Sequence, residues 1–390
     1  MISRKLLIFS LCIAFIFATL TGCVSPDDLN VDNVPEKPDD SISLLDPPEA
    51  DNDLDFTPSE GIDFDAAIAS FPPDTVMIRA GELTVTWANL FVFLFSSVSE
   101  FAQFYPMGID WSEDLGFGIP FSDLVLEYST DEALSFLTFE FGANVHGITP
   151  DETDLEDFNT DLENLIDAYG GKEALELSLR ENGGFYSYDV FEDLLRIEML
   201  RTLLLEDLYG EGGADFPDER IAEFAAKNDF MMAKHILILH SEHGDSEDAL
   251  SEIEDIFSQL TAKVGSDDFF DFFDELMREH SEDPGSFMSY PDGYLFEPVD
   301  MVSSFSAATL ALEEGEMSDI VESEYGYHII LRVPIDYDLI PLGIAGTGGQ
   351  TTLRHLAVYE DFEALMEEWR SAMNIEFTSE YNSIDLSKIF

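Results

Sequence analysis

Two histidines lie in similar sequence environments, and both are candidates for chemistry. His235 lies in the run Phe230-Met-Met-Ala-Lys-His235-Ile-Leu-Ile-Leu239, and His328 lies in Tyr325-Gly-Tyr-His328-Ile-Ile-Leu331. Short apolar runs rich in β-branched residues predict buried strands. A histidine on such a strand either belongs to a functional hydrogen-bond network or is a satisfied core residue, and the sequence leaves both interpretations open.

Other sources of chemistry are poorly represented. The sequence contains no Gly-rich phosphate loop, no nucleophile elbow and no zinc-protease motif. His235, His240 and His243 lie close in sequence, but residues 235 and 240 of a strand point to opposite faces, and no Cys accompanies them. We therefore predict no metal and no cofactor.

The stretch 230–336 predicts a strand, two amphipathic helices, an acidic loop, a further helix and a second strand. It resembles the parvulin (PpiC-type) family of peptidyl-prolyl cis/trans isomerases. The resemblance is carried by Lys234-His235-Ile-Leu-Ile, Ser281-Glu-Asp283, Pro291-Asp-Gly-Tyr-Leu-Phe296, Met301-Val, Phe305, Leu312-Glu-Glu-Gly-Glu-Met-Ser318 and Gly326-Tyr-His328-Ile-Ile.

The resemblance implies three catalytic groups and a set of substrate-binding residues. His235, Asp283 and His328 are the implied catalytic groups. The implied substrate-binding residues are Phe296, Met301 and Phe305, which would seat the proline ring, and Ser323 and Tyr325. Rotation about an X–Pro amide faces a barrier of ~18–20 kcal/mol. An apolar socket and a few oriented polar groups lower it without a cofactor.

Alternatives remain for these residues. Met301 and Phe305 share one helical face and could be ordinary core residues. Asp283 could be a solvated loop acid. The usual Gly-Gly-Asp-Leu-Gly of the family is replaced by Pro291-Asp-Gly-Tyr-Leu, and Tyr325 is bulky, which weakens the expectation of turnover more than that of the fold. The loop 240–248 has no Lys or Arg, so phospho-Ser/Thr-Pro specificity is not expected.

The composition is that of a folded but very acidic chain. Its 390 residues include 82 Asp plus Glu against 17 Lys plus Arg, which gives a formal charge of −65, and 33 Phe. This aromatic content excludes a wholly disordered chain, and the length allows two domains. Nucleic acid is excluded as a partner, because phosphate binding requires basic residues.

The amino-terminal part predicts export and anchoring. Residues 1–22 have a basic start and an apolar run that is short for a membrane span, which is typical of a signal peptide. Leu20-Thr21-Gly22-Cys23 resembles a bacterial lipobox and implies lipidation of Cys23. Cleavage of an ordinary signal peptide nearby is the alternative. Residues 23–75 are acidic and predict a disordered linker.

Residues 76–229 predict a helical domain that follows a strand pair at 75–87. Its first helix, Trp87–Tyr105, is apolar around most of its circumference, which indicates burial. A membrane span is the competing interpretation, and the polar residues Asn89, Ser96, Ser97 and Ser99 argue against it. Further helices are expected at Ser122–Asn144 with a Ser cap, Asp151–Tyr169, Lys172–Glu181, Ser187–Tyr209 and Pro217–Lys227. This region resembles the chaperone domain of SurA- and PrsA-type foldases.

Residues 337–390 predict a Gly-rich connection at 339–350, a helix at Glu360–Met373 and a strand from Ile375. The resemblance implies that this segment packs back on the helical domain, so that 230–336 is an insertion. The predicted fold class is therefore α+β, with a helical chaperone domain and an inserted domain in which helices surround a small antiparallel sheet.

We expect a membrane-anchored foldase at the outer face of a bacterial cell membrane. It would isomerise X–Pro bonds in newly secreted proteins and hold unfolded clients. One alternative is a parvulin-fold holdase without turnover. A less favoured one is a solute-binding lipoprotein, which would need two α/β lobes with repeated βα units. We leave a homodimer open.

Overall fold

The structure is a computed structural model that describes residues 70–102, 110–114, 118–240, 246–345 and 349–390. The predicted signal peptide, Cys23, most of the predicted linker and His243 lie outside the described residues. Contacts divide the chain into two compact units. We call the continuous stretch Leu205–Ala364 the sheet unit. The helical unit joins the described residues up to Leu204 with Leu365–Phe390. The predicted domain boundaries, at 229/230 and 336/337, remain a prediction.

The elements before the sheet unit's first strand are mainly helical. They are β1 Val76–Ala80, β2 Leu83–Thr86, α1 Trp87–Ala102, α2 Phe121–His146, α3 Glu152–Ala168, α4 Lys172–Gly183, α5 Tyr188–Tyr209 and α6 Asp218–Lys227.

The remaining elements alternate short strands and helices. They are β3 Met231–Leu239, α7 Ser246–Thr261, α8 Phe269–His280, α9 Gly285–Met288, β4 Tyr294–Phe296, α10 Ser303–Ala311, β5 Val321–Glu322, β6 Gly326–Arg332, α11 Leu342–Ala345, α12 Leu353–Ala372 and β7 Ile375–Phe377. Both sheets are antiparallel, in the orders β2-β1-β7 and β4-β3-β6-β5. The predicted α+β class, with helices around small antiparallel sheets, is confirmed.

Helix α1 is the centre of the helical unit's core. Trp87, Leu90, Phe91 and Leu94 are completely buried along it, and full burial of an aliphatic or aromatic side chain stabilises by about 1.5–3 kcal/mol. The predicted buried helix is confirmed. Within the described ranges, no helix combines the length and apolar character that crossing a membrane requires.

Asn89 and Ser97 of α1 have local hydrogen-bond partners. Thr86 accepts from the backbone amide of Asn89 (3.3 Å), and its hydroxyl bonds the Asn89 side chain (2.6 Å), so the two residues cap the start of the helix. Further along, the Ser97 hydroxyl bonds the Phe93 carbonyl (2.8 Å) and the hydroxyl of Ser129 on α2 (2.9 Å). These buried hydroxyls are therefore satisfied within the bundle.

Two details of the predicted helices are wrong. Helix α2 does not start with a Ser cap, because Pro120 occupies the capping position and its carbonyl accepts from the amides of Asp123 and Leu124. Helix α12 begins at Leu353 rather than at residue 360. Leu353, Leu356 and Ala357 are buried at helical spacing, and this burial extends the helix toward the predicted Gly-rich connection, over residues to which no element had been assigned.

The carboxyl-terminal segment completes the helical unit. Strand β7 pairs with β1 through Ile78 and Phe377. The Tyr381 and Thr130 hydroxyls lie 2.8 Å apart, and the ring of Phe390 stacks on Phe91 at 5.7 Å. The end of the chain thereby contributes aromatic packing to the buried face of α1.

In the sheet unit, β3 lies between β4 and β6 and is buried along most of its length. The alternation of side chains gives the sheet two faces. One face packs Ile236, Ile238 and Ile329 against residues such as Phe273 of α8. The other packs Ala233 and Ile330 against Phe296 and Phe305. His235 and His328 belong to this second face by the same alternation.

Close approach of β3 and β6 requires a glycine at the start of β6. A Cβ atom on Gly326 would lie 2.0 Å from the carbonyl oxygen of Ile238. Gly326 pairs with Leu239 at the end of the ladder, so any side chain there would separate the two strands that carry the histidines.

Candidate active site

The pairing of β3 with β6 brings the two histidines together. In the register His235 faces Ile330 and Leu237 faces His328, so the imidazoles lie diagonally on one face. Their Nδ1 atoms are 3.4 Å apart, and both side chains are more than nine-tenths buried. The pairing of the strands therefore brings together two imidazoles that are 93 positions apart in sequence.

Asp283 is held beside His235 by the segment between α8 and α9. The amide of Glu282 donates to the carbonyl of Leu237 (2.8 Å), and the amide of Leu237 donates to the Ser281 hydroxyl (3.2 Å). This pairing with β3 places Asp283 Oδ2 2.7 Å from His235 Nε2. Asp283 is therefore a fixed member of the site and not a solvated loop acid.

Ser323 bonds the other end of the histidine pair. Its hydroxyl oxygen lies 2.7 Å from His328 Nε2 and accepts from the amides of Tyr325 (3.2 Å) and Gly326 (3.4 Å). These two amides fill the acceptor positions of the hydroxyl, which leaves its hydrogen to donate. Two acceptors are in reach, His328 Nε2 at 2.7 Å and the Gly326 carbonyl at 3.4 Å, and the shorter contact directs the hydrogen to His328.

This direction assigns the tautomers of the pair from the hydrogen-bond network. With Nε2 as an acceptor, His328 carries its proton on Nδ1 and donates to His235 Nδ1. His235 then carries its proton on Nε2 and donates to Asp283. Every hydrogen bond in the chain from Ser323 to Asp283 points toward the carboxylate.

The charges of the site agree with this assignment. Burial, with a contribution from neighbouring His235, lowers the pKa of His328 to about 3, so His328 is neutral near pH 7. Burial by itself raises the pKa of Asp283, but hydrogen bonds from His235 and Tyr294 outweigh burial and hold the pKa below its ordinary value. The Asp283 carboxylate is therefore the anion of the site, and His328 is neutral.

Both imidazoles pack against an aromatic cluster. The ring of Phe305, on α10, meets His235 edge-on at 5.1 Å and His328 at 5.5 Å. Phe296, on β4, packs against Phe305 at 5.7 Å. Met301 is half-buried and packs against the same cluster, whereas Phe296 and Phe305 are 0% and 1% exposed. Met301 is thus one of several partly buried residues around the two buried rings. It precedes α10, so the prediction that it shares a helical face with Phe305 is wrong.

The structure also locates the residues expected at the edge of the site. Ser323 joins the histidine network directly. Tyr325 is attached to it through its backbone amide, while its ring is 56% exposed. Sequence reasoning missed Tyr294, whose hydroxyl donates to Asp283 Oδ2 at 2.7 Å. The only signal was its position in the stretch that departs from the family motif.

His240 lies on the opposite side of the sheet from the histidine pair. Its ring meets Tyr327 at 4.9 Å. Over the part of the chain that is described, no group of three or more His, Cys, Asp or Glu side chains is arranged to hold a metal ion.

Comparison with protein families identifies this region. The family model described as the PPIC-type PPIASE domain matches residues 235–333. The match begins at His235 and contains the other seven predicted site residues of the sheet unit, and the resemblance to this family is confirmed.

Curated relatives match a larger part of the chain. The foldase protein PrsA of Staphylococcus epidermidis is 29% identical over 182 residues, which cover 46% of this chain and 52% of that protein. PrsA of Halalkalibacterium halodurans is 36% identical over 143 residues, covering 36% and 38%. The chain spans about half the length, or less, of these two relatives.

Solved structures give more distant likenesses. PrsA from Bacillus cereus is 20% identical, with 70% of this chain and 96% of that chain covered and a TM-score of 0.30. PrsA from Streptococcus pneumoniae is 14% identical, with coverage of 67% and 91% and a TM-score of 0.28.

Proposed function

We propose that this chain, whose residues 235–333 belong to the PPIC-type PPIase domain family, is an extracytoplasmic foldase. It catalyses cis/trans isomerisation of X–Pro bonds in unfolded secreted proteins and holds those clients. The observation that carries the proposal is the continuous contact of Phe305 with both imidazoles, one of which bonds Asp283.

This arrangement supplies what rotation of the amide requires. The twisted amide loses resonance between its carbonyl and nitrogen, so oriented dipoles and a dry apolar seat favour it over the planar forms. Met301 offers a half-buried apolar contact for the proline ring, and Phe305 lies in the same apolar cluster. The network from Ser323 to Asp283 holds its dipoles in one direction, which reduces the reorganisation needed when the amide twists.

A parvulin-fold holdase without turnover is the second candidate. It is favoured by the burial of Phe296 and Phe305, which leaves little of either ring accessible to a proline. In this alternative the aromatic cluster is a core, and unfolded clients are bound elsewhere on the chain.

Anchoring and location belong to the same proposal. Lipidation of Cys23 would tether the chain to the outer face of the cell membrane, and the acidic segment 23–75 would extend from it because like charges repel. The partners are then unfolded proteins containing X–Pro bonds and the membrane through its lipid. The net charge of −65 disfavours nucleic acid, and a homodimer is left open.

The test is an NMR exchange measurement of cis/trans interconversion in unphosphorylated X–Pro peptides. It uses the full chain lacking only the predicted signal peptide. Two variants are compared, Phe305→Leu and Phe273→Leu. Both remove part of a buried ring, since Phe305 is 1% and Phe273 0% exposed, but they lie on opposite faces of the sheet.

Acceleration by the parent chain that persists in Phe273→Leu and falls at least about tenfold in Phe305→Leu would support the isomerase. Equal losses in both variants would assign Phe305 to the core alone. A folded parent chain that accelerates no peptide would reject turnover, and suppression of client aggregation would then favour the holdase.

A further inference from the structure

Tyr294 is the polar group of the site for which the family motif predicted no role. It is the first residue of β4 and pairs with Ala233 of β3, so its side chain shares a face with His235. Its ring meets His235 edge-on at 5.6 Å. The hydroxyl donates to Asp283 Oδ2 at 2.7 Å, the same oxygen that bonds His235.

The carboxylate of Asp283 is held by three donors. Oδ2 accepts hydrogen bonds from the Tyr294 hydroxyl and from His235 Nε2, and Oδ1 accepts one from the amide of Gly285 at 2.9 Å. Three donors fix both the position and the plane of a carboxylate, and hydrogen bonds to an ionised group are stronger than those between neutral groups. The orientation of His235 therefore depends on contacts that Asp283 makes on its other sides.

Gly285 lies beside the Tyr294 hydroxyl, and its lack of a side chain leaves space there. A Cβ atom there would lie 2.3 Å from the Tyr294 hydroxyl oxygen and 3.1 Å from Asp283 Oδ1. The missing side chain leaves room for the hydroxyl, while the backbone amide of the same residue supplies the third donor. Gly285 and Tyr294 therefore form one cradle around Asp283.

We propose that Tyr294 is a positioning residue of this site, whose hydroxyl fixes the Asp283 carboxylate and thereby keeps the Nε2–H of His235 directed at it. This inference rests on the proposed isomerase function. Tyr294 acts through Asp283 and is not itself a catalytic residue.

The Tyr294 hydroxyl affects the titration of Asp283. A donor to the ionised carboxylate stabilises the charged form, so removing the Tyr294 hydroxyl raises the pKa of Asp283. The titratable groups around the carboxylate are His235 from β3, His328 from β6, Tyr294 and Tyr290 from β4 and its approach, and Glu282 beside it in the chain. Among them, Tyr294 and His235 bond the carboxylate directly.

The experiment compares Tyr294→Phe and Gly285→Ala with the parent chain. The Phe variant keeps the ring and deletes the hydroxyl, while the Ala variant keeps Tyr294 and displaces the hydroxyl. Tyr290→Phe is the matched control, because its ring packs on Tyr294 at 4.6 Å and the change deletes a neighbouring hydroxyl. Imidazole 15N spectra as a function of pH follow His235, and the chain's 7 histidines keep such spectra assignable.

We expect the acid inflection sensed by His235 to move up by about one pH unit in Tyr294→Phe and in Gly285→Ala, and to stay in place in Tyr290→Phe. We expect kcat to fall about tenfold in Tyr294→Phe with little change in KM, and the acid limb of the activity profile to move with the inflection. In an Asp283→Asn background, Tyr294→Phe is expected to change neither kcat nor the profile.

An unchanged inflection in Tyr294→Phe would overturn the proposal, whatever happens to activity. Turnover in the parent chain without that shift would reject the role of Tyr294 alone. If the inflection shifts in Tyr294→Phe but the parent chain shows no turnover, the placement of Asp283 by Tyr294 is supported and the isomerase function is rejected. The two failures are therefore distinguishable.

Discussion

Replacing His328 with Gln should remove the part of the sheet unit's acid sensitivity that this buried imidazole causes. The imidazole is 3% exposed, and burial lowers its folded pKa to about 3 from an ordinary value near 6.5. A lowered folded pKa contributes stability that is complete above about pH 6.5 and is lost progressively as pH falls toward 3.

The expected loss of unfolding free energy follows from the pKa values of His328 in the folded and unfolded states. At pH 5 the unfolded imidazole is almost fully protonated while the folded one is almost fully neutral. Linkage then gives a loss of about 2 kcal/mol of unfolding free energy between pH 8 and pH 5 from this one group. A shift of this size is a large share of the ~5–15 kcal/mol that stabilises a typical domain. Asp283, with its lowered pKa, acts in the same direction but at lower pH.

Two probes separate the units in the assay. The three tryptophans, Trp87, Trp111 and Trp369, lie in the helical unit, so their fluorescence during urea unfolding follows that unit. Amide hydrogen exchange of β3 and β6 follows the sheet unit. The measured quantity is the difference between the pH 8 and pH 5 free energies, which cancels the constant cost of the substitution.

We expect this difference to be about 2 kcal/mol smaller in His328→Gln than in the parent chain, with no change in the fluorescence transition. Equal differences in the two proteins would refute the reasoning, because they would mean that His328 titrates alike in the folded and unfolded states.

Three further predictions concern other parts of the structure. Glu132→Gln should stabilise the helical unit by up to about 3 kcal/mol at pH 8 and by under about 1 kcal/mol at pH 5. Burial, followed by repulsion from Asp131, raises the pKa of Glu132 to about 7. The stability that the protonated carboxyl contributes to the helical unit is therefore complete below about pH 4.5 and is lost as pH rises through 7. A pH-independent gain in the fluorescence transition would contradict this. Gly326→Ala should destabilise the sheet unit by about 1–3 kcal/mol or more, because the new methyl group meets the Ile238 carbonyl, and wild-type exchange protection in β3 would argue against it. Asp151→Ala should cost about 1 kcal/mol, confined to α3, because Asp151 accepts from the amides of Thr153 and Asp154; exchange rates should rise in the first turn of α3, and uniform rates would show that the cap is dispensable.

Apolar runs predicted the strands of the site well. Two short runs rich in β-branched residues placed His235 and His328 on buried strands, and the observed β3 and β6 begin and end within a residue or so of those runs. The short strands β4 and β5 were missed, since three and two residues carry too little alternation to be distinguished from loop. The start of α12 was missed although Leu353, Leu356 and Ala357 have helical spacing, because the glycines before them dominated the interpretation.

The polar contacts of the site could not be predicted from the sequence pattern. Asp283 was an even choice between a site group and a loop acid, because its contact with His235 depends on backbone pairing of Glu282 with Leu237, which no local signal records. Tyr294 was noticed only as a departure from a motif. Its hydroxyl reaches Asp283 because Gly285 lacks a side chain, and that relation joins residues that are separated in sequence and meet only in the folded chain.

Loss of activity in acid would have two distinct causes in this site. Protonation of His328 in the unfolded state favours unfolding of the sheet unit, whereas protonation of Asp283 in the folded state removes the acceptor shared by His235 and Tyr294. One activity profile does not separate these events, but the stability profiles of two variants do. Tyr294→Phe raises the pKa of Asp283 and leaves the imidazole of His328 in place, so the stability loss between pH 8 and pH 5 should persist. His328→Gln removes that loss. An acid limb of turnover that moves in Tyr294→Phe while the stability profile stays fixed therefore belongs to the carboxylate, and an acid limb that follows unfolding belongs to the buried imidazole.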